Sequence, residues 1–116
     1  MMVVMADSQG AGLEVDLEAF AAVHATGVAL LDVRNPDEYE AAHVPGAVLI
    51  PLGELVERQG EIPSGSPLYV ICAGGGRSLV AAKSLVNAGY PAVSVAGGTN
   101  GWIERGGEIR TGSDPG

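Results

Sequence analysis

Cysteine is nearly missing from this sequence, since Cys72 is the only one among 116 residues. A single cysteine has no partner for an intramolecular disulfide, which excludes the small secreted proteins whose folds depend on disulfide frameworks. Aromatic side chains are also scarce: one Phe, one Trp and three Tyr are present. The core must therefore be built from layers of aliphatic side chains.

Basic residues are few, with 6 Lys and Arg against 14 Asp and Glu, and the formal net charge is −8. The basic residues are scattered and form no cluster. Binding to nucleic acid and to anionic membranes depends on such clusters. We therefore expect no nucleic acid and no membrane among the partners of this chain, and we interpret the negative charge as a solubilising surface.

Long apolar runs are absent as well. Nowhere do 18 apolar residues follow one another, so no membrane-spanning helix is predicted. The apolar start of the chain is too short, and lacks the basic flank, for a secretory signal peptide. We expect a soluble, cytoplasmic protein with one domain over residues 13–110, a flexible N-terminal arm over 1–12 and a flexible tail over 111–116.

The sequence does contain short apolar runs that alternate with helical patterns. Near-continuous apolar runs are typical of parallel strands covered on both faces, and four are present, at residues 28–33, 47–52, 68–71 and 92–96. Helices are predicted between them and at the end, at residues 17–26, from 36 to before 44, at 53–58, at 78–88 and after 98. This alternation predicts an α/β fold with a single open, mostly parallel β-sheet and helices on both faces.

Several residues predict how these helices begin and pack. Asp16 is expected to cap the first helix, and Asn35 followed by Pro36 predicts the start of the second. Thr99 or Asn100 is expected to cap the last helix. In the helix over 78–88, four side chains are predicted to face inward: Leu79, Ala82, Leu85 and Val86.

Chemistry is predicted where Cys72 follows the third strand, because ligands bind at the carboxyl ends of strands in open parallel sheets. The glycines that follow allow backbone N–H groups to converge on one point, and the next helix adds its positive N-terminal end. Arg77 adds a permanent positive charge. Together these features favour a thiolate, a persulfide anion or a bound oxyanion. A buried structural cysteine is the alternative. A nucleotide-phosphate loop is not predicted, because neither the Walker spacing with its lysine nor Gly-x-Gly-x-x-Gly is present.

The segment 72–78, Cys-Ala-Gly-Gly-Gly-Arg-Ser, resembles the active-site loop of the rhodanese family. Two further motifs resemble that family's signatures and stand in the same order and at natural spacing. One is Leu-Asp-Val-Arg at 31–34 with Pro-Asp-Glu-Tyr at 36–39 and His-Val-Pro-Gly-Ala at 43–47, and the other is Gly97-Gly98 with Trp102. The resemblance extends over residues 14 to 109.

The resemblance implies a sulfurtransferase of the thiosulfate sulfurtransferase type. Cys72 would attack the sulfane sulfur of a donor, become a persulfide and then pass the outer sulfur to an acceptor in a ping-pong scheme. Backbone N–H groups of the loop would bind the persulfide and the anionic donor, and its residues are Ala73, Gly74, Gly75, Gly76, Arg77 and Ser78. No metal and no organic cofactor are implied. The acceptor would be external: cyanide, a small thiol or a cysteine of another protein.

Two alternatives to this enzyme remain open. The domain could be a sulfur-relay or binding module that releases sulfur only to a partner. It could also resemble the phosphatases and arsenate reductases of the superfamily, which have five residues between cysteine and arginine, whereas four separate Cys72 from Arg77 here. Some thiosulfate-using members have a basic residue just after the cysteine, where this chain has Ala73 and Gly74. We therefore hypothesise that the physiological donor is a persulfide.

Residues outside the loop are expected to support it. The resemblance places Asp32 and Arg34 near the rim of the site, where Asp32 needs a partner because it lies in a buried strand. Arg34 is expected to form an ion pair with Asp37 or Glu38. His43 is predicted to tether the following turn rather than to act as a base, and Trp102 to anchor the last helix.

Overall fold

A computed structural model describes residues 13–116, so the predicted flexible arm over 1–12 lies outside the described residues. These residues form five strands: β1 (Glu14–Val15), β2 (Ala29–Asp32), β3 (Val48–Leu49), β4 (Leu68–Ile71) and β5 (Ala92–Val95). The strands make one open sheet in the order β1-β5-β4-β2-β3, and each neighbouring pair is parallel. The predicted α/β fold with a single open parallel sheet is confirmed.

Helices cover both faces of the sheet, as predicted. They are α1 (Leu17–His24), α2 (Pro36–Ala41), α3 (Gly76–Asn87) and α4 (Gly98–Glu104). One face packs against α3 through Ala82 and Leu85, and the other packs against α1, α2 and α4 through their aromatic residues Phe20, Tyr39 and Trp102. No helix within residues 13–116 has the length and apolar character needed to cross a membrane.

The central strand β4 is buried along its whole length. Its side chains alternate between the two faces, with Val70 in the cluster beneath α3 and Ile71 in the opposite cluster. It pairs with β2 on one side and β5 on the other. This burial explains why the strand reads as an unbroken apolar run, and it places Cys72 at the carboxyl edge near the middle of the sheet.

The predicted starts of the first two helices are confirmed. The Asp16 carboxylate accepts a hydrogen bond from the Ala19 N–H at 2.7 Å, which is the expected role of an N-cap. The second helix begins at Pro36 after Asn35. The Asn35 N–H donates to the Glu38 carboxylate at 3.0 Å, so the first turn of α2 is closed by its own side chain.

Around the edge strands, two predictions are wrong and one strand was not predicted. The strand predicted at 47–52 spans only Val48–Leu49, which lies at the sheet edge and pairs with β2 alone. The helix predicted at 53–58 is replaced by two short 3₁₀ turns, Leu52–Glu54 and Gln59–Glu61. Strand β1 was not predicted, and its two residues are held by backbone pairing with β5.

Two details of the later helices also differ from prediction. Helix α3 begins at Gly76 rather than at residue 78, and its predicted inward residue Val86 is 43% exposed. Helix α4 begins at Gly98 after Gly97, and neither Thr99 nor Asn100 caps it. Tertiary hydrogen bonds described below take the place of a cap.

Aromatic side chains lock α1 against α4, as expected of Trp102. The Phe20 ring lies 5.5 Å from the Trp102 ring, centroid to centroid, and the His24 ring lies 5.0 Å from it. Trp102 Nε1 donates to the Glu108 carbonyl at 2.7 Å. Four of the five aromatic residues therefore pack on one face of the sheet, where three helices meet, whereas Tyr90 packs on the other.

His43 tethers the turn that follows α2, in agreement with its predicted structural role. Its two ring nitrogens lie 2.8 Å from the carbonyl oxygens of Tyr39 and Asp114, and its ring stacks on that of Tyr39. The contact with Asp114 holds residues 111–116 against the domain, and the Gly112 N–H donates to the Glu40 carbonyl at 2.8 Å. The flexibility predicted for this tail stays a prediction, and these contacts weigh against it.

Candidate active site

The site is built around Cys72, which leaves the end of β4 and is only 1% exposed. The next three residues turn the chain, and α3 starts at Gly76. Both Arg77 and Ser78 therefore belong to the first turn of the helix rather than to the loop. This places the cysteine sulfur directly at the N-terminal end of a twelve-residue helix.

The Cys72 sulfur accepts hydrogen bonds from the residue before α3 and from the first turn of that helix. The Gly75 N–H donates to Sγ at 3.1 Å and the Ser78 N–H donates at 3.2 Å. The Ser78 hydroxyl oxygen lies 3.4 Å from Sγ. The sulfur thus occupies the position in which a capping side-chain oxygen accepts the free N–H groups of a helix, and negative charge is favoured there.

These contacts decide how readily Cys72 ionises. Burial of the sulfur is the largest single influence and raises the pKa of the thiol. Hydrogen bonds from the Ser78 hydroxyl and from the N–H groups of Ser78, Gly75 and Gly74 together outweigh it, so the pKa of Cys72 lies below its usual value. The geometry therefore favours a thiolate, the form in which cysteine is nucleophilic.

Gly75 gives the loop its shape. Its φ angle is +112°, in the left-handed region that side chains disfavour, and a Cβ there would lie 3.4 Å from the backbone nitrogen of Gly97. A glycine at this position lets the chain reverse so that the Gly75 N–H points back at Sγ.

The start of α4 closes the other side of the loop. The Thr99 N–H donates to the Cys72 carbonyl at 2.8 Å, and the Asn100 N–H donates to the Ala73 carbonyl at 3.0 Å. Gly98 permits this approach, since a Cβ on it would lie 2.5 Å from both carbonyl oxygens. The Gly97-Gly98 motif thus serves the site by letting two helix N–H groups bind the loop backbone.

The positive charge of Arg77 is paired with a carboxylate at the rim of the site. Its guanidinium forms two hydrogen bonds with the Glu38 carboxylate, each at 2.9 Å. Arg77, followed by the Asn35 N–H, lowers the pKa of Glu38 to about 2, so the carboxylate stays charged at neutral pH and balances the guanidinium. Arg77 therefore carries the permanent positive charge that was predicted, but α2 supplies its counter-ion, and its role in binding a substrate stays a prediction.

Asp32 and Arg34 form a buried ion pair with each other. Arg34 Nε and Nη2 donate to the two oxygens of Asp32 at 3.0 and 2.9 Å, and Arg34 Nη2 also donates to the Ala42 carbonyl at 2.8 Å. The predicted pairing of Arg34 with Asp37 or Glu38 is wrong, because the side chain folds back onto its own strand. Since Asp32 is paired in register with Ile71, the ion pair braces the strand end beside Cys72.

Two buried hydroxyl groups near the site were not predicted. Ser94, on β5, lies with its Oγ 2.7 Å from the Oγ of Ser78. Thr99 is also buried, and its hydroxyl oxygen makes no hydrogen bond within residues 13–116. One signal for Ser94 was present in the sequence, because it is the polar member of the apolar strand Ala92–Val95.

The predicted site residues are therefore brought together only in part. Cys72, Gly75 and Ser78 meet at the sulfur, while Ala73 contributes its carbonyl to the contact with α4. The side chain of Arg77 lies at the rim with Glu38, a residue that the sequence analysis had not assigned to the site. Within residues 13–116, no group of three His, Cys, Asp or Glu side chains is arranged to hold a metal ion.

Known proteins resemble this chain in both sequence and structure. Residues 17–105 match the family model described as the Rhodanese-like domain. The sequence is 35% identical over 86 residues to the thiosulfate sulfurtransferase GlpE of Tolumonas auensis, which covers 73% of this chain and 81% of that protein. A rhodanese-related protein from Thermoplasma volcanium has a TM-score of 0.76 at 30% identity, covering 84% of this chain and 96% of that one.

Other relatives are longer than this chain. YrkF of Bacillus subtilis, named as a candidate sulfur carrier protein, is 41% identical over 92 residues, which cover 77% of this chain and 50% of that protein. A second protein of that organism, YqhL, is 39% identical, and the match covers 63% of its length. The family match, the parallel sheet and the cysteine at the helix N-terminus agree, and they show that this chain belongs to the family of rhodanese-like domains.

Proposed function

We propose that this chain is a sulfurtransferase that carries sulfane sulfur as a persulfide on Cys72. The observation that carries the proposal is the cysteine sulfur, which accepts N–H groups from both Gly75 and Ser78 at the start of α3. An anionic sulfur is stabilised at such a position, and this holds for a thiolate as well as for a persulfide. The GlpE relative, named a thiosulfate sulfurtransferase, supports the same activity.

The proposed reaction has two half-reactions. In the first, the Cys72 thiolate attacks the outer sulfur of the donor, a new S–S bond forms, and the former S–S bond breaks. The donor leaves with the electron pair, as sulfite from thiosulfate or as a thiolate from a persulfide. In the second, cyanide or a thiolate attacks the outer sulfur, and Cys72 leaves as the thiolate that began the cycle. The charge balances in each step, and no cofactor is needed.

We further propose that a persulfide is a better donor for this site than thiosulfate. Thiosulfate is a dianion, and the one positive side chain of the segment 72–78, Arg77, is already balanced by Glu38. The whole chain is strongly acidic as well, with a net charge of −8. A donor with less negative charge avoids this repulsion, and backbone N–H groups are sufficient to bind its sulfur.

A partner-dependent relay is the second candidate function. It is favoured by the similarity to YrkF, named as a candidate sulfur carrier, of which this chain covers half. Cys72 is also deeply buried, so an acceptor must reach into the loop. In a relay, sulfur would load onto Cys72 but leave slowly until a protein acceptor is present.

The cytoplasmic location of the protein stays a prediction.

Intact mass spectrometry tests the function directly. The purified protein and a Cys72→Ala variant are incubated with thiosulfate or with glutathione persulfide, and the masses are recorded before and after adding a reductant. We expect a reductant-sensitive gain of one sulfur atom in the wild-type protein only, at a lower concentration of glutathione persulfide than of thiosulfate.

The possible outcomes separate the candidates. A persulfide that transfers to cyanide over many cycles supports the enzyme, whereas loading followed by slow release supports the relay. If neither donor adds sulfur to Cys72, both proposed functions, the enzyme and the relay, fail. If thiosulfate loads Cys72 at a lower concentration than glutathione persulfide does, only the proposed donor preference is overturned.

A further inference from the structure

The Ser78 hydroxyl stands between the Cys72 sulfur and a second hydroxyl, that of Ser94. Both serine side chains are fully buried. The Ser78 oxygen lies 2.7 Å from Ser94 Oγ, 3.4 Å from Cys72 Sγ and 3.2 Å from the Gly75 carbonyl oxygen. Ser78 therefore has three polar neighbours, but a hydroxyl has only one hydrogen to donate.

Counting hydrogens fixes the direction of the bond between the two serines. Within residues 13–116, Ser78 is the hydrogen-bond partner of the Ser94 side chain. The Ser94 hydrogen is satisfied only if it points at Ser78 Oγ, because a buried donor without an acceptor is costly. In that arrangement Ser78 accepts from Ser94 and keeps its own hydrogen for the Gly75 carbonyl or for Cys72.

The position of Ser94 in the sheet is unusual for a hydroxyl group. Along β5, Ala92 points into the core beneath α3, and strand alternation places Ser94 on the same side. The buried hydrophobic residues of that face form an apolar cluster that includes Cys72. The Ser94 hydroxyl is buried as well, and its observed contact is with Ser78, the residue that contacts the Cys72 sulfur.

We propose that Ser94 is a positioning residue that holds the Ser78 hydroxyl as a hydrogen-bond donor to the Cys72 sulfur. With a neutral thiol, Cys72 donates to Ser78 Oγ and Ser78 donates to the Gly75 carbonyl. When the proton leaves, the Ser78 hydrogen turns from the Gly75 carbonyl to Sγ. The Ser94 hydroxyl donates to Ser78 Oγ in both states. This strengthens the hydrogen bond that Ser78 donates, since linked hydrogen bonds polarise one another.

Ionisation of Cys72 measures this effect directly. It is followed by the ultraviolet absorbance of the thiolate as the pH rises, with the Cys72→Ala variant subtracted as a blank. The same samples are tested for the rate of alkylation by iodoacetamide. The inference rests on the proposed function, because it takes Cys72 as the reacting group. Neither readout needs a sulfur donor, so failure of sulfur transfer and failure of this inference are distinguishable.

Three variants and one control complete the design. Ser78→Ala is expected to lower the acid ionisation constant of Cys72 at least about tenfold, because it removes a hydrogen bond to a charged sulfur. Ser94→Ala is expected to reduce it about two- to fourfold. The double variant Ser78→Ala/Ser94→Ala should match Ser78→Ala, since Ser94 acts only through Ser78.

Thr99→Val is the matched control. It removes another buried hydroxyl beside the loop, one without a hydrogen bond within the described residues, and it preserves the N–H group that binds the Cys72 carbonyl. We expect it to leave the titration of Cys72 unchanged. The inference is overturned if Ser94→Ala titrates like the wild type and Thr99→Val, or if its shift persists in full when Ser78 is already alanine.

Discussion

At the scale of single residues, the cysteine sulfur has two roles that the sequence does not separate. It is the proposed nucleophile, and it also caps α3 by accepting the N–H groups of Gly75 and Ser78. A helix cap is a structural contribution, so the charge state of Cys72 affects folding as well as reactivity. The sequence predicts the helix and the cysteine, whereas the second role depends on the turn at Gly75.

The double role predicts a pH dependence of stability. Folding lowers the pKa of Cys72, so its ionisation contributes stability that is fully present above the pKa in the unfolded chain, about 8.5. That contribution is lost as the pH falls through the folded-state pKa. We expect the difference in unfolding free energy between the wild type and Cys72→Ser to increase as the pH rises across this window.

Urea denaturation under reducing conditions at several pH values measures that difference. Groups other than Cys72 titrate in both proteins and cancel, because serine keeps the size of the side chain but does not ionise in this range. A second variant, Cys72→Ala, should give the same slope against pH. Parallel stability curves for wild type and variants would show that the sulfur does not act as a charged cap.

The ion pair at the rim leads to a second prediction at this scale. Glu38→Gln keeps the shape of the side chain but leaves Arg77 with an unbalanced charge at the mouth of the loop. We expect the thiosulfate concentration for half-maximal loading of Cys72 to fall about five- to tenfold, as expected for one cation placed near a dianion in a solvated site. Loading by glutathione persulfide should change less.

Glu40→Gln is the matched control for that experiment. Glu40 is exposed on the same helix, so its substitution removes the same charge from the chain without touching the pair of Glu38 and Arg77. If both variants improve thiosulfate loading equally, the total charge of the protein limits the donor, and the rim pair has no specific role.

At the scale of secondary structure, prediction succeeded where the pattern of one segment decides the element. The strand over 68–71 and the first two helix starts follow from local apolar runs and capping residues. The start of α4 could not be predicted in that way. Its free N–H groups at Thr99 and Asn100 are satisfied by loop carbonyls about 27 residues earlier in the chain, and no local side chain signals such a partner.

Gly98→Ala tests the close approach between α4 and the loop. Gly98 has a positive φ angle, and an added Cβ would meet the Cys72 and Ala73 carbonyl oxygens at 2.5 Å. We expect a loss of stability of at least about 3 kcal/mol, from backbone strain together with the displaced helix. Sulfur loading of Cys72 should fall in parallel, because the loop loses its brace.

Gly106→Ala separates strain from collision. Gly106 also has a positive φ angle, but a Cβ on it would meet no atom within 4 Å. This control should lose only about 1–2 kcal/mol, the cost of the left-handed backbone for alanine. Chemical denaturation of both variants gives the comparison, and equal losses would mean that the contact between α4 and the loop contributes little.

At the scale of the whole molecule, the net charge of the sequence does not show which charged side chains are paired in the fold. Of the six basic residues, four form ion pairs with carboxylates within residues 13–116: Arg34, Arg58, Arg77 and Arg110. The sequence predicted the negative surplus and the absence of a basic patch. It could not predict that the arginine of the active-site loop is balanced by α2, because the two residues are 39 positions apart.

The fold class was predicted, and so was the edge at which the cysteine lies, because both depend on the alternation of strands and helices. The order of strands was not, since β1 contributes two residues whose pairing with β5 joins the two ends of the domain. Apolar periodicity cannot detect so short a strand. The same limit applies to Ser94, whose importance depends on a neighbour across the sheet.

The position of β4 in the sheet also has a consequence during biosynthesis. β4 pairs with β2, which is made before it, and with β5, which is made after it. A nascent chain that has left the ribosome only as far as α3 still lacks β5, the Ser94 hydroxyl and the N–H groups of α4. We expect the cysteine of such a chain to ionise less readily than in the folded domain, because the groups that hold its loop and orient Ser78 arrive only with β5 and α4.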